Sequence, residues 1–370
     1  AHSHGYRAAM IQSGELQIDV AFLGVPSSDP FGNATGTSGR SRCGSLGYAK
    51  VDAEHADCVV LVAEEIVPYP LVTHSIQQDQ VDLVVQVAEI GDPGKIATGA
   101  VRLTTNPREL LIARYAAQTI IGSGLFRDGF SMQTGSGAAA IATTKYLSDE
   151  MVAKNVRARW ALGGITGDIV DLHEAGYCGS ILDTQSFDVR AADDLAHNPN
   201  HHEISAAQYA NNTIGKGAAV DQLDVVILSA LEIDLNFNVN VLTGSDGIML
   251  GALGGHPDTA SGAQLPIIVA PLLRGRIPTV VETLTTKVTP GETIAALITD
   301  WGVAVNPNRP ELRERLADAG LPLAGIEELW QRSNSIAGVP QELEFEDKVV
   351  GVVRYRDGSV LDVVRQLPRG

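Results

Sequence analysis

The sequence predicts an α/β protein made of two structurally related halves, and three observations carry that prediction. Strand-like runs alternate with helical patterns along the chain, a stretch near the amino end recurs at a constant offset of 205 residues, and 370 residues with 44% hydrophobic content suffice for two ordinary cores.

In chain order, the β-type runs are residues 18–25, 58–63, 82–87, 225–231 and 265–273, rich in branched residues and separated by turn formers. Helical patterns lie between them. Asn106-Pro107 sets a capping residue before a proline at the first helical position, and that helix runs on to Gly122. After Gly137, Ala140, Thr144, Leu147 and Met151 recur at helical spacing and form one largely apolar face. Pro310 and Gly320 bracket another helix, and 349–355, Asp357-Gly358 and 360–365 read as a β-hairpin with a type I′ turn.

The repeat places residues 18–39 over 223–244, aligning Asp19 with Asp224, Leu23 with Leu228, Asp29 with Asp234, Asn33 with Asn238 and Gly39 with Gly244. It divides the chain into a first half at 1–128 and a second at 129–370. Residues 129–222 precede the repeated strand in the second half, but only residues 1–17 do so in the first. The first half is therefore expected to be truncated at its amino end.

A formal charge of −17 disfavours nucleic acid and anionic membrane as partners, since both need a basic surface. An anionic ligand would need a local basic cluster. Arg274 and Arg276 form the best one, with Arg309, Arg313 and Arg315 further on. Three cysteines without a CxxC pair suit a reducing compartment, and no apolar run reaches the roughly 20 residues of a membrane span, so a cytoplasmic location is expected.

Three glycine-rich segments can turn backbone N–H groups toward an anion: Gln133-Thr134-Gly135-Ser136-Gly137, Gly163-Gly164-Ile165-Thr166-Gly167, and Gly251-Ala252-Leu253-Gly254-Gly255-His256. The first opens into a helix, which suits an oxyanion or phosphate; the alternative is a tight structural turn. As a dinucleotide fingerprint it is poor, because no evident strand precedes it and no acidic residue follows at the right distance. Asp234, Asn236, Asn238 and Asn240 alternate after an apolar strand, so continued strand geometry would point all four to one face. His197, His201, His202 and Glu203 are the only metal-like cluster, but the Asn-Pro-Asn beside them indicates a solvated loop, and no metal is assigned. No Gly-x-Ser-x-Gly elbow is present.

Several strings then converge on a known family. Ser27-Ser28-Asp29-Pro30-Phe31-Gly32-Asn33, Cys43-Gly44-Ser45-Leu46-Gly47-Tyr48, Gly129-Phe130-Ser131-Met132-Gln133-Thr134-Gly135, Phe237-Asn238-Val239-Asn240-Val241-Leu242-Thr243-Gly244, Arg274-Gly275-Arg276-Ile277-Pro278 and Tyr355-Arg356-Asp357-Gly358-Ser359 resemble the citrate lyase alpha chains in order and over nearly the whole length. The resemblance implies two CoA-transferase-like α/β halves with mainly parallel sheets. It also implies an exchange in which acetyl-acyl carrier protein and citrate give citryl-acyl carrier protein and acetate. The implied partners are a beta subunit and a gamma subunit. The latter is the acyl carrier protein with its phosphoribosyl-dephospho-coenzyme A arm, for which a coenzyme A thioester is a surrogate.

Related transferases carry a glutamate nucleophile shortly before a segment matching Ile169-Val170-Asp171-Leu172, and that position falls on Gly163. The resemblance thus implies direct transfer through a mixed anhydride. Gly135, Gly137, Gly163 and Gly164 are expected to supply amides to the reacting carbonyls, and Gly254, Gly255 and His256 to line the thioester arm. Arg274 and Arg276, with Asn236 and Asn240, are expected to hold citrate. Asp29 and Asn33 are expected to shape a turn at the mouth of the cofactor site. The competing readings are a transferase using Glu174 or Glu232 as covalent nucleophile, and a non-catalytic scaffold subunit.

Overall fold

The computed structural model describes residues 1–96, 104–135, 137–213 and 215–368, so Ser136 of the first glycine loop lies outside the described residues. The chain gathers into two compact units, one of Ala1–Tyr6, Arg102–Val156 and Val220–Gly370, the other of Arg7–Val101 and Arg157–Ala219. The boundary expected at 128/129 falls inside the first unit. Packing is the reason: helix Pro107–Gly122 lies against helix Ala138–Lys154 and strands Leu265–Val269 and Ala296–Thr299, so residues on both sides of 128 share one core.

In the first unit the strands run in the order Gly302–Val305, Ala296–Thr299, Leu265–Val269, Val225–Ser229, Phe130–Thr134. All are parallel except Gly302–Val305, which pairs antiparallel with its neighbour. Leu265–Val269 and Ala296–Thr299 are buried throughout, as continuous apolar runs in a sheet covered on both faces are. The 265–273 run ends as a strand at Val269, and Leu273–Arg274 starts a separate hairpin with Ile277–Pro278. Helix Pro107–Gly122 begins as its sequence specifies, with the Asn106 side chain accepting from the Arg108 N–H.

The carboxyl-terminal hairpin pairs Val349–Arg354 with Val360–Arg365, but its turn differs from the expected two-residue type I′. Tyr355 N–H donates to the Ser359 carbonyl and Gly358 N–H to the Tyr355 carbonyl, while only Gly358 among the loop residues has positive φ, at 87°. The loop therefore has three residues and ends on a left-handed glycine. Asp357 accepts from both the N–H and the hydroxyl of Ser359, which holds this form. Ala1 pairs with this hairpin: its backbone nitrogen donates to Val352 O, and Arg354 N–H donates to Ala1 O.

In the second unit, parallel strands Ala21–Ser28, Val59–Ile66 and Leu83–Gln86 form one sheet, with Ala34–Thr35 antiparallel at the Ala21–Ser28 edge. Strands Ala158–Ile165, Cys178–Ser186 and His201–Glu203 run parallel to one another. One face of the first sheet packs Val25, Leu61, Ala63 and Ile76 with Ala53 of helix Gly47–His55. The opposite face carries Phe22, Leu83 and Val85 at 71%, 55% and 45% exposure.

The offset-205 stretches build the same turn. Asp29 N–H donates to Asn33 O, and Asp234 N–H to Asn238 O; Ser28 pairs with Ala34 as Ile233 pairs with Val239. Ala34 bridges Ile76 as Val239 bridges Thr289. The equivalent left-handed positions are Gly32 at φ 105° and Phe237 at φ 62°.

Candidate functional site

Strand Phe130–Thr134 leads straight into Gly135, and helix Ala138–Lys154 begins one residue after Gly137. A strand does precede this loop, contrary to expectation; its Phe-Ser-Met-Gln-Thr run has a single β-branched residue, Thr134, at its end, too little to mark it. No side chain caps the helix, leaving its first-turn amides to the loop side. Gly135 N–H donates to Ile227 O at 2.8 Å. A Cβ on Gly137 would come 2.5 Å from Ser229 Oγ, so the loop lies against the carboxyl end of strand Val225–Ser229.

His256 meets the same strand end. Its Nε2 donates to Ser229 O at 3.0 Å and its Nδ1 accepts from the Thr289 hydroxyl at 2.7 Å, since a carbonyl oxygen only accepts. Burial pushes its pKa down to about 4, so the ring is neutral at pH 7. Both nitrogens are committed, which makes His256 a strut between Ser229 and Thr289. Gly255 caps its helix, and left-handed Gly254 offers its carbonyl to His4 N–H at 2.9 Å.

The four polar residues after strand Glu232–Asp234 do not share a face, because the chain turns at left-handed Phe237. Asp234 holds the Asn236 and Asn238 N–H groups, and Asn236 itself is exposed. Asn240 is buried. It donates to Glu232 Oε2 at 2.8 Å and to Thr243 O, and accepts from the Leu242 and Thr243 N–H groups. Glu232 also accepts from the N–H and hydroxyl of Thr285.

Arg274 is half-buried, with one Nη donating to Leu231 O at 2.5 Å and a buried Nε that has no hydrogen-bond partner. Burial lowers its pKa, and the Glu232 charge opposes that shift. Gly275, at φ 63°, turns the hairpin, and Arg276 stands exposed at its tip. Sequence reasoning missed Arg108 and Asp300 at the hairpin's base. Arg108 Nη1 donates to Leu273 O at 3.2 Å and its Nε lies 3.2 Å from Asp300 Oδ2, while Asp300 Oδ1 accepts from Leu272 N–H at 2.8 Å.

In the second unit, Gly163 lies in register with Asp183 at φ 104°, beside a shift that pairs Gly164 with Gln185. A Cβ on Gly164 would come 2.2 Å from the Phe187 ring, so a side chain there would have to push that ring aside. Asp29 Oδ1 accepts from the N–H groups of Phe31, Gly32 and Asn33, and Oδ2 from Asn33 Nδ2 and Leu71 N–H. Burial raises its pKa, but these donors prevail and the net shift is downward. Asn33 spends its carbonyl oxygen on Gln78 N–H. Both side chains are thus engaged in the turn.

The histidine cluster is not a solvated loop throughout. His201 is buried between carboxylates, with Nδ1 2.8 Å from Asp194 and Nε2 3.2 Å from Asp183, while His197 and His202 are exposed. Burial raises the pKa of Asp183, against the lowering effect of the hydrogen bonds it shares with His201 and Ser186. Among the described residues no three His, Cys, Asp or Glu side chains are grouped to hold a metal. Glu174 is exposed and paired with Arg190 at 2.5 Å.

The family model for the alpha subunit of citrate lyase matches residues 1–367. The chain belongs to that citrate lyase alpha subunit family. It is 62% identical over 366 residues to the citrate lyase alpha chain of Klebsiella pneumoniae, a match covering 99% of this chain and 72% of the relative. It is similar to a Streptococcus mutans protein, described as the alpha subunit of citrate lyase and solved in complex with citrate, at 50% identity and TM-score 0.96. That match covers all of this chain and 72% of the other. A 4-hydroxybutyrate CoA-transferase of Porphyromonas gingivalis, 19% identical with TM-score 0.55 over 85% of this chain and 75% of its own, shares the fold. No described helix is long and apolar enough to cross a membrane.

Proposed function

We propose that the chain exchanges acetate for citrate on a carrier thioester by direct transfer, with no covalent enzyme intermediate. Membership of the citrate lyase alpha subunit family across residues 1–367 is the observation that carries this reading. A citrate carboxylate oxygen attacks the acetyl carbonyl, the C–S bond breaks and the thiolate leaves, giving a citric–acetic anhydride. The thiolate then attacks the citryl carbonyl of the anhydride, and acetate departs. Protons and electrons balance without a further reactant.

The chain's own residues then orient the reactants, polarise carbonyl oxygens and exclude water. Orientation contributes about 7–11 kcal/mol to such reactions, and each oxyanion donor roughly 3–4 kcal/mol. The proposed donors are the first-turn amides of helix Ala138–Lys154 after Gly137 and, in the other unit, those around Gly163 and Gly164; Gly135, whose own N–H is taken by Ile227 O, shapes the loop instead of donating as expected. Gly254 and Gly255 form a wall for the thioester arm, and Asp29 and Asn33, in the other unit, shape their own turn. His256, with both nitrogens committed, supports that wall without acid–base chemistry. Arg274 is the proposed citrate ligand, because a buried guanidinium N–H without a partner is costly unless an anion completes it. Arg276 provides a second, exposed charge and Asn236 an exposed amide in the separate turn at Asp234, whereas Asn240 acts by fixing Glu232.

In this reading the thioester is presented by an acyl carrier gamma subunit through its phosphoribosyl-dephospho-coenzyme A arm, a beta subunit cleaves the citryl product, and the chain works in the cytoplasm as two related halves. The recurrent turn at Asp29 and Asp234 supports the last point.

The test is formation of a citryl thioester from acetyl-coenzyme A and citrate, with release of labelled acetate. Activity that survives Glu174→Gln and Glu232→Gln supports direct transfer. Inactivation by borohydride after exposure to acetyl-coenzyme A would establish a covalent glutamyl–coenzyme A thioester instead, and citrate binding without turnover in the assembled complex would leave a scaffold.

A further inference from the structure

We propose that Arg108 and Asp300 are positioning residues that hold Arg274 in place for citrate, an inference that rests on Arg274 binding a citrate carboxylate. Arg108 occupies the second position of helix Pro107–Gly122, where the positive end of the helix dipole disfavours a cation. Its placement there is accounted for by what its side chain holds. The guanidinium spans two acceptors, Leu273 O and Asp300 Oδ2, each at 3.2 Å, and the other Asp300 oxygen takes the Leu272 N–H at 2.8 Å.

Three successive residues are therefore fixed from outside the hairpin. Asp300 holds the N–H of Leu272, Arg108 holds the carbonyl of Leu273, and Leu231 O holds the guanidinium of Arg274. Left alone, the two-residue strands Leu273–Arg274 and Ile277–Pro278 form a marginal hairpin. The clamp gives that hairpin a defined base. Its charges cancel, since Arg108 pairs with Asp300, so it does not compete with Arg274 for an anion. Asp300 is mostly buried, at 11% side-chain exposure, while Arg108 is 51% exposed, so the carboxylate is the fixed member and the arginine closes onto it.

The chemistry requires arginine. A lysine keeps the charge but has no planar fork to reach a carboxylate and a carbonyl together. A misplacement of about 1 Å can cost a positioned group about 100-fold in what it does, so a shift of about half that costs about tenfold. Citrate affinity is accordingly expected to fall about tenfold in both Arg108→Ala and Arg108→Lys, by the same displacement argument, and to be lost in Arg274→Ala.

The test is calorimetric titration of the full chain with citrate and, separately, with acetyl-coenzyme A, alongside thermal melting of each variant. Weaker citrate binding in Arg108→Lys with acetyl-coenzyme A binding and melting unchanged supports the clamp. Asp300→Asn keeps an oxygen for Leu272 and serves as the second variant if an Arg108 variant fails to fold. Wild-type citrate affinity in Arg108→Lys and Asp300→Asn, with binding lost in Arg274→Ala, would overturn the clamp and leave the citrate reading standing. Equal loss of both ligands would also overturn it, as a general folding defect. No citrate binding by the wild type, or none lost in Arg274→Ala, would sink the citrate reading itself.

Discussion

His256 and Asp258 are near neighbours in sequence, both buried, and titrate in opposition. Burial holds His256 down at about 4, so the stabilisation from its neutral ring is complete above its ordinary value of 6.5 and is lost as pH falls toward 4. Burial pushes Asp258 up to about 6 despite hydrogen bonds from Ser3 Oγ and Gly5 N–H. Its stabilising protonated form is complete below 3.8 and is lost as pH rises through about 6. Between pH 4 and 6.5 the two contributions offset each other. In urea titrations across that range, His256→Gln is expected to lose stability relative to wild type as pH rises, and Asp258→Asn to gain it. Parallel curves for all three proteins would mean that neither group titrates as its burial implies. For Arg274→Lys, loss of the planar fork predicts citrate binding weakened by about 1.5–3 kcal/mol, the range for a charged hydrogen bond, in the same calorimetric assay.

At the scale of elements, glycine placement is governed by close approach. Gly164→Ala pushes a methyl into the Phe187 ring, and overpacking of this kind costs about 1–3 kcal/mol. Phe187→Leu in the same chain is expected to recover part of the lost denaturation midpoint; no recovery would place the strain elsewhere. The difference between what was legible and what was not follows the range of the interactions. Asn106-Pro107 announced its helix because a cap is a local device, and the apolar face of Ala140, Thr144, Leu147 and Met151 is buried as its spacing required. Strand Phe130–Thr134 was hidden because pairing with Val225–Ile227, far along the chain, makes it a strand. The carboxyl-terminal hairpin was visible, but its turn type depended on the Asp357–Ser359 bonds, which composition does not reveal. Arg274, the proposed citrate ligand, could be singled out from its local basic cluster, whereas Arg108 and Asp300 are joined only by tertiary folding. His201 looked solvated from its neighbours and is buried by carboxylates from two other elements.

Over the whole molecule, a charge of −17 sets a repulsive field against citrate, and little opposes it at long range. Arg108 is neutralised by Asp300, and Arg274 faces Glu232. Raising the ionic strength from about 0.01 to 0.15 M shortens the screening length from about 30 to about 8 Å. Citrate association, followed by stopped flow, is therefore expected to accelerate over that range; slowing would mean that a local positive patch dominates approach. Phe22, Leu83 and Val85, exposed on one sheet face of the second unit, present apolar surface with its own consequence. Phe22→Glu should reduce binding of a hydrophobic dye to the chain, and an unchanged dye signal would place the accessible apolar surface elsewhere.

The twin turns hold a comparison that evolution has already run. Gly32 and Phe237 occupy the same place in the same hydrogen-bonded knot, one with no side chain and the other with a phenyl ring in a backbone region that L-residues avoid at about 1–2 kcal/mol. Phe237 is 1% exposed, and the enclosure of that ring more than offsets the strain. The same backbone shape is thus reached by opposite means, through freedom from sterics at one site and through compression by neighbours at the other. At Gly32 the missing side chain also admits Val81, which an added Cβ would approach to 2.7 Å, whereas at Phe237 the ring itself is what the core closes upon.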